Sequence, residues 1–531
     1  MRNRAGRILV AALLAACLWS AELRGAEFVE HPFPGITYIT RTDTSPRNLR
    51  MHIVLVDLTA PEIHFKLTPP GTNLPPFTPP FETVRQTTLD FLNASHAQAA
   101  INGHFFLPFP SSLPDAYLIG LAASRGSVYS AFEAPVQNYA LVTDSPAINI
   151  DASNHASVVH ADTSFADGKH VLENVQLWNA LAGSAQIVTD GVKTIPVYLD
   201  ATHPDGQLIP PGPANYSNRN SWYNLLNART AIGLTQDAQT LVLFTVDVRP
   251  TGVSTGMRVG EVADLLISDY HVYEALNLDG GGSTTMALED PATHAGWIVN
   301  VSSDSLNGRS GGSNLAVYSD GVAPTTRATA SPGPNANGWN RTNVTVTLDA
   351  ADNPGGWVDQ VHYSLDGAQK SDPQVVAGHT TSFDVMTPGV TIVTYFATDA
   401  AGNEEAAETL TVRLDGAAPV ISGLPVHRCT LWPPNHQMVE VATVSAADAL
   451  SGVAPGSFQV TASSNEPSDP GDPDVVIAPD GSGGFTVRLR AERLGEGAGR
   501  TYTLTATARD LADNVATVTT TCTVPHDQGR P

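Results

Sequence analysis

Between residues 28 and 60 two short runs crowd apolar and β-branched residues together, Ile36-Thr37-Tyr38-Ile39 and Met51-His52-Ile53-Val54-Leu55-Val56-Asp57. Runs of this length and make-up predict strands. The Pro-rich stretch 69–80 predicts a surface loop, and Thr83 to about Ser95 a helix. The segment 99–106, AAINGHFF, then predicts a buried strand that leaves its sheet at Asn102-Gly103. Residues 120–130 predict two strands about a turn at Arg125-Gly126. His203 to Ser221, rich in Pro, Asn, Gly and Tyr, predicts a long ordered loop. Further on, ARTAIGLT (228–235) and LVLFTVDV (241–248) predict a hairpin, while Val259, Val262, Ala263, Leu266 and Ile267 fall at helical spacing. EALNLDGGGSTTMAL (274–288) predicts a strand, a Gly-rich turn and a second strand, and SNLAVYS (313–319) a closing strand.

After residue 320 the pattern changes to short alternating strands separated by turn residues: NVTVTLDA (343–350), TIVTYFATD (391–399), ETLTVRLD (408–415), GFTVRLRAE (484–492) and YTLTATARD (502–510). Two similar units of roughly 100 residues are visible, 321–416 and 417–531, and such units read as β-sandwiches. Their Asp-x-Ala-Gly/Asp-Asn turns, at 399–403 and 510–514, resemble those of bacterial immunoglobulin-like repeats. The expected architecture is therefore multidomain. An α+β domain with a mixed β-sheet is expected over 28–320, followed by two all-β immunoglobulin-like sandwiches.

Composition adds two exclusions. Apolar residues make up 42% of the chain, enough for packed cores. The net charge of −24 is spread along the chain, so no basic stripe exists to neutralise phosphates and a nucleic-acid partner is not expected.

Residues 1–26 read as a signal segment, with Arg2, Arg4 and Arg7 ahead of a short apolar run from Ile8 to Ala16. That run is too short to span a bilayer. Leu14-Ala15-Ala16-Cys17 also has the form of a lipobox, so export ends either in secretion or in a lipid anchor at Cys17. Any membrane contact is expected only through that anchor. With Cys17 in the leader, Cys429 and Cys522 remain, and a disulfide between them is the natural reading in an exported chain; two free buried thiols are the alternative.

Asn277-Leu278-Asp279-Gly280-Gly281-Gly282-Ser283-Thr284-Thr285 is where chemistry concentrates. Three glycines after an acidic residue let the backbone approach a ligand closely and turn successive N–H groups toward an anion. A plain tight turn is the structural alternative.

INGHFF, NARTAIGL, FTVDVR, the Gly-x-x-x-Gly-Glu-x-Ala start at 256–263, ALNLDGGGSTTM and VNVSSD…GR together resemble the phosphodiester glycosidase family, over about 28–320 and most specifically over 227–317. Val248 and Val301 depart from the residues expected there, Gly and Arg or Lys. The resemblance implies hydrolysis of the bond between an anomeric carbon and a phosphate oxygen. Such reactions pass through an oxocarbenium-like transition state and usually employ two carboxylates. A phosphodiester leaving group needs little protonation, so cations and N–H groups that take up its charge matter more.

On this reading Asp279 is nucleophile or general base, with Asp247 and Glu261 as candidate second carboxylates. The amides of Gly280, Gly281 and Gly282, with Arg229 and Arg309, hold the phosphate. Asn102, His104, Ser283 and Thr284 position sugar hydroxyls. Structural alternatives stand beside these roles: an Arg229–Asp247 ion pair, Glu261 at a helix N-terminus, a packed His104 and a solvated Arg309.

The implied partner is a phosphate-linked sugar or polysaccharide. No cofactor and no metal are expected, although Asp turns at 349–353 and 510–513 are of a kind that can hold calcium. Gly252-Val253-Ser254-Thr255-Gly256 fits the Gly-x-Ser-x-Gly pattern of serine hydrolases, but Arg249-Pro250-Thr251 intervenes between strand and turn. A glycan-binding adhesin without turnover, and a serine esterase using Ser254, are the rival readings.

Overall fold

A computed structural model describes residues 25–133, 136–137, 140–141, 146–195, 198–200, 203–207, 224–468 and 471–527. The leader with Cys17, and most of the loop expected at 203–221, lie outside the described residues. The chain divides into two compact units at Val322/Ala323.

The first unit is built on two facing sheets. Beside them stand another five-stranded sheet within residues 122–182, which adds Ile148, Ile150 and Leu181 to their shared core, and a three-stranded sheet within residues 83–119. Its elements begin with strands β1 (Ala26–Phe33), β2 (Ile36–Asp43), β3 (Leu49–Asp57) and β4 (Ile63–Leu67). Helix α1 (Thr88–Ser95), β5 (Ala99–Asn102), β6 (Ala185–Thr189), β7 (Val192–Lys193), β8 (Arg229–Thr235) and β9 (Thr240–Val246) follow. Helix α2 (Val259–Tyr270), β10 (Val272–Asn277), β11 (Met286–Glu289), β12 (Gly296–Ile298) and β13 (Asn314–Ser319) complete the set used here. The larger sheet has the order β1-β2-β3-β9-β8-β10-β6-β7, and the smaller β12-β11-β5-β13-β4.

Alternate residues of the larger sheet enter two different cores. Val54, Val56, Ile232, Leu241 and Leu243 pack inward with Phe65, Ile101, Met286 and Val317 of the smaller sheet. Met51, Ile53, Ala231, Val242 and Phe244 face the other way, onto Val259, Val262, Ala263 and Leu266 of α2. Burial on both faces is why β3 and β9 read as unbroken apolar runs. On the far side of the smaller sheet, Leu92 of α1 covers Ala100 and Ala287. The result is four layers: helix, sheet, sheet, helix.

Two expectations change here. The helix expected from Thr83 begins at Thr88 instead, because the Thr87 hydroxyl accepts the Asp90 N–H as an N-cap, while Thr83–Val84 pairs as a short strand. The expected mix of strand directions is absent among the described pairings of this unit, all of which are antiparallel, in both main sheets. Parallel neighbours need long crossover connections, usually helical, and this unit has only two α-helices among its described residues.

The second unit holds two sandwich cores. Val344, Val346, Leu348, Val361, Val393, Tyr395 and Val412 form one, between a three-stranded and a four-stranded sheet. Val444, Val487, Leu489, Tyr502, Leu504 and Cys522 form the other, between two four-stranded sheets. Cys429 and Cys522 are bonded, joining neighbouring parallel strands of one sheet.

Candidate active site

The Gly-rich turn lies where β10 leaves the larger sheet. Leu278 is buried, and the chain is pinned at Asp279 by two neighbours: its N–H donates to Gly103 O at 3.1 Å and its C=O accepts from Asn102 Nδ2 at 2.7 Å. Asn102 Oδ1 in turn accepts from Thr230 Oγ1 and the Thr285 N–H. Asn102 thus fastens three segments of the turn's surroundings and is 4% exposed. Thr284 is fully buried, with its hydroxyl on Thr230 and its carbonyl on Asn300 Nδ2. Both residues, expected to meet sugar hydroxyls, spend their polar atoms on protein.

The glycines act mainly through close approach. Gly281 has φ +62°, in the left-handed region, and its N–H donates to Ala228 O. The Gly280 N–H serves the Asp279 carboxylate. The expected three-amide anion site therefore has two of its donors already used within the protein. At Gly282 a Cβ would lie 2.1 Å from Arg309 Nη2, so only glycine lets that guanidinium settle against the turn.

Asp279, Ser283 and Arg309 come together. Arg309 Nη1 donates to Ser283 Oγ at 3.2 Å and Nε donates to Asp304 Oδ2 at 2.9 Å. Burial pushes the Asp279 carboxyl up to about 6, against the pull of the Ser283 hydroxyl, Arg309 and the Gly280 N–H. A carboxylate poised near 6 is ionised at neutral pH yet readily takes a proton, as a general base must. Arg309 also lies 4.5 Å over the Phe109 ring and lines a cavity of about 640 Å³ with Arg85, Phe106, Leu113 and Asp304. Arg85 donates to the carbonyls of Pro108, Ser111 and Asp115, which fixes the wall carrying Phe109. Phe109 and Arg85 escaped the sequence reading, and Asp304 entered it only within VNVSSD and without a role; for Phe109 the signal was the aromatic, Pro-rich run directly after INGHFF.

Other expected residues stand elsewhere. Asp247 is fully buried, paired with Arg50 Nε at 2.6 Å and accepting the Val301 N–H at 2.9 Å. It anchors the loop that leads to Asp304 and Arg309, and its ion pair is with Arg50, not Arg229. Arg229, also fully buried, donates to Met257 O and Leu225 O, so those two nitrogens hold backbone rather than phosphate.

Glu261 closes the capping box of α2 and pairs with Arg47. Burial raises its pKa, but the Arg47 and Arg258 contacts outweigh that and leave it lowered. That is a helix-start residue. His104 is 1% exposed, with Nδ1 on Ser313 Oγ and Nε2 receiving the Ala182 N–H; burial drives its pKa down to about 4, so it stays neutral and packed.

Ser254 is 1% exposed, donates to Asp247 O and accepts the Arg50 N–H. A hydroxyl so committed and so buried is not placed as a nucleophile, and the esterase reading fails on that geometry.

In the second unit Asp415, Asp448 and Asp510 bring carboxylate oxygens within 4.8 Å of one another. Asp510 accepts from Asn514, and Asp415 from Ser451 and Ala417, so protein donors already serve both.

Residues 95–318 match the family model described as phosphodiester glycosidase. No curated protein matches the chain. Among solved structures, the chain is similar to the catalytic domain of zebrafish N-acetylglucosamine-1-phosphodiester alpha-N-acetylglucosaminidase, auto-inhibited by its pro-peptide. The identity is 18%, over 56% of this chain and 88% of that one, with a TM-score of 0.35. A protein from Synechocystis is 15% identical over 55% of this chain and 63% of its own, with a TM-score of 0.32. Fibronectin(III)-like modules of Clostridium thermocellum CbhA are 16% identical over 17% of this chain and 96% of theirs, with a TM-score of 0.14. Over residues 95–318, then, this chain matches the model of the phosphodiester glycosidase family.

Proposed function

We propose that this protein is an exported hydrolase that cleaves the sugar–phosphate bond of phosphodiester-linked sugars on cell-surface or extracellular glycans. The observation that carries the reading is the Asp279–Ser283–Arg309 grouping, whose Arg309 also lines the cavity walled by Phe109. Asp279 acts at the anomeric centre, as nucleophile or as base toward water. The bond from the anomeric carbon to the phosphate oxygen breaks, and the electron pair leaves with the phosphate monoester. Arg309, aimed into the cavity, takes up that charge. A cation so placed acts where negative charge develops and stabilises the transition state more than the bound substrate. Export is supported by the basic-then-apolar leader.

The test compares two substrates with the same sugar, one a 1-phosphodiester and one a nitrophenyl glycoside. Asp279→Asn should abolish turnover of both. Arg309→Ala should lower kcat/KM for the phosphodiester far more than for the glycoside. Equal loss on both substrates would remove the phosphate role from Arg309, and full activity of Asp279→Asn would remove the reading altogether.

A further inference from the structure

A second cavity, of about 480 Å³, opens between the edge strands of the two sheets, β1–β2 on one side and β11–β12 on the other. Its chemistry is opposite to that of the first. Glu30, Glu289 and Asp290 line it, with His31 the one basic group, whereas two guanidiniums line the first. A phosphorylated ligand is repelled here.

The cavity also presents a flat apolar face. Trp297, on β12, is 46% exposed, a large indole left to solvent in a concave place. Tyr38 contributes an edge only, since it is 4% exposed and its hydroxyl is held at 2.8 Å by His52 Nδ1. Two of the three carboxylates are pre-set. Glu289 is 7% exposed and fixed by Gln98 Nε2 and His294 Nδ1. Asp290 accepts the Ala292 and Thr293 N–H groups, which hold its pKa down and keep it an acceptor.

One aromatic face beside fixed, acceptor-only carboxylates matches a molecule with an apolar ring face and a rim of hydroxyl donors. We propose that this cleft binds a neutral sugar ring of a glycan chain, stacked on Trp297 with its hydroxyls donating to Glu30 and Asp290. A quaternary ammonium fits less well, because cages for such cations surround them with several aromatic faces and only one is exposed here.

The position adds a link to the first site. Trp297 and Ser302 are five residues apart on one segment, so they are separated by at most about 18 Å, and Ser302 Oγ donates to Gly282 O. A glycan of a few units is long enough to span such a distance. The cleft would then select polymeric over small substrates, a role that rests on the hydrolytic reading, while binding itself does not.

The experiment therefore uses the full-length Asp279→Asn protein, which removes turnover from the measurement. It is titrated calorimetrically with neutral tetrasaccharides of the chito-, manno- and gluco- series, with an oligogalacturonate and with choline. At least one neutral series should bind. Adding Trp297→Ala should weaken that binding tenfold or more, and Trp297→Phe should restore most of it, with melting temperature unchanged in both. The proposal is overturned if no neutral oligosaccharide binds, if Trp297→Ala binds equally well, or if the oligogalacturonate or choline binds more tightly. Loss of hydrolysis in the wild type alongside intact sugar binding would count against the hydrolytic reading only.

Discussion

Replacing Asp279 by Asn should make the first unit more stable at neutral pH while removing its activity. Burial lifts this carboxyl from 3.8 to about 6 in the folded protein, so its charged form is held at a cost. A shift of about two units corresponds to roughly 3 kcal/mol at 1.36 kcal/mol per unit. The sign follows from linkage: stability falls wherever the unfolded chain loses its proton before the folded one does. Below about pH 4 the group is protonated in both states and imposes no penalty. Between about 4 and 6 the penalty grows, and above 6 it is present in full. Asn keeps the shape and carries no charge, so the variant should match the wild type near pH 3.5 and exceed it by up to ~3 kcal/mol at pH 7. At about 2–4 °C per kcal/mol for a domain of 150–250 residues, the gain amounts to several degrees in the melting temperature of this unit. Paired thermal melts of the two proteins at closely spaced pH values from 3.5 to 7.5 measure it. A stability difference that does not change across pH 4–6 would refute the reasoning. In the same range the wild-type rate should rise with pH to a plateau above about 6, as an ionised Asp279 is required.

Gly282→Ala should raise KM for a phosphodiester and leave a nitrophenyl glycoside nearly unaffected, because the added Cβ displaces the Arg309 guanidinium but not the carboxylate; steady-state kinetics on both substrates decide it. Ser254→Ala should lower stability by about 1–3 kcal/mol, the usual cost of stranding a buried hydrogen-bonding group, while the rate per folded molecule stays within a few fold. A fluorophosphonate probe should leave Ser254 unlabelled. Reducing Cys429–Cys522, which closes a loop of 93 residues, should lower the melting transition of the last sandwich by an amount set by about 4–5 kcal/mol of loop entropy and leave catalysis unchanged, as calorimetry and an activity assay would show.

The central strands of the larger sheet were legible because both of their faces are buried, so β3 and β9 show as apolar runs against a polar background. The Gly-rich turn was legible for a local reason: no ordinary strand connection needs three glycines after an Asp. What failed was the assignment of partners. Arg229 and Asp247 sit together at the open end of one hairpin, where Arg229 pairs with Val246, yet each turns to a different segment, Arg229 to the carbonyls of 225 and 257 and Asp247 to Arg50. Such choices depend on which loops fold over the sheet, and spacing along the chain carries no trace of them. Glu261 was ambiguous because a helix-start acid and a catalytic acid look alike until Arg47 arrives from a segment more than 200 residues away. Phe109 was passed over because a Pro-rich loop reads as filler until it is seen to wall a cavity.

Arg309 touches Ser283 in the Gly-rich turn, Asp304 in its own loop and Phe109 in the Pro-rich wall. Those three pieces come from separate segments of the chain. The anion-binding end proposed for the site therefore has no existence in any fragment of the domain. It is created at the moment the last of the three docks, and it vanishes when any one of them lets go. Turnover of a phosphodiester would consequently serve as a reporter of complete folding, failing under mild denaturant before the sheets themselves come apart.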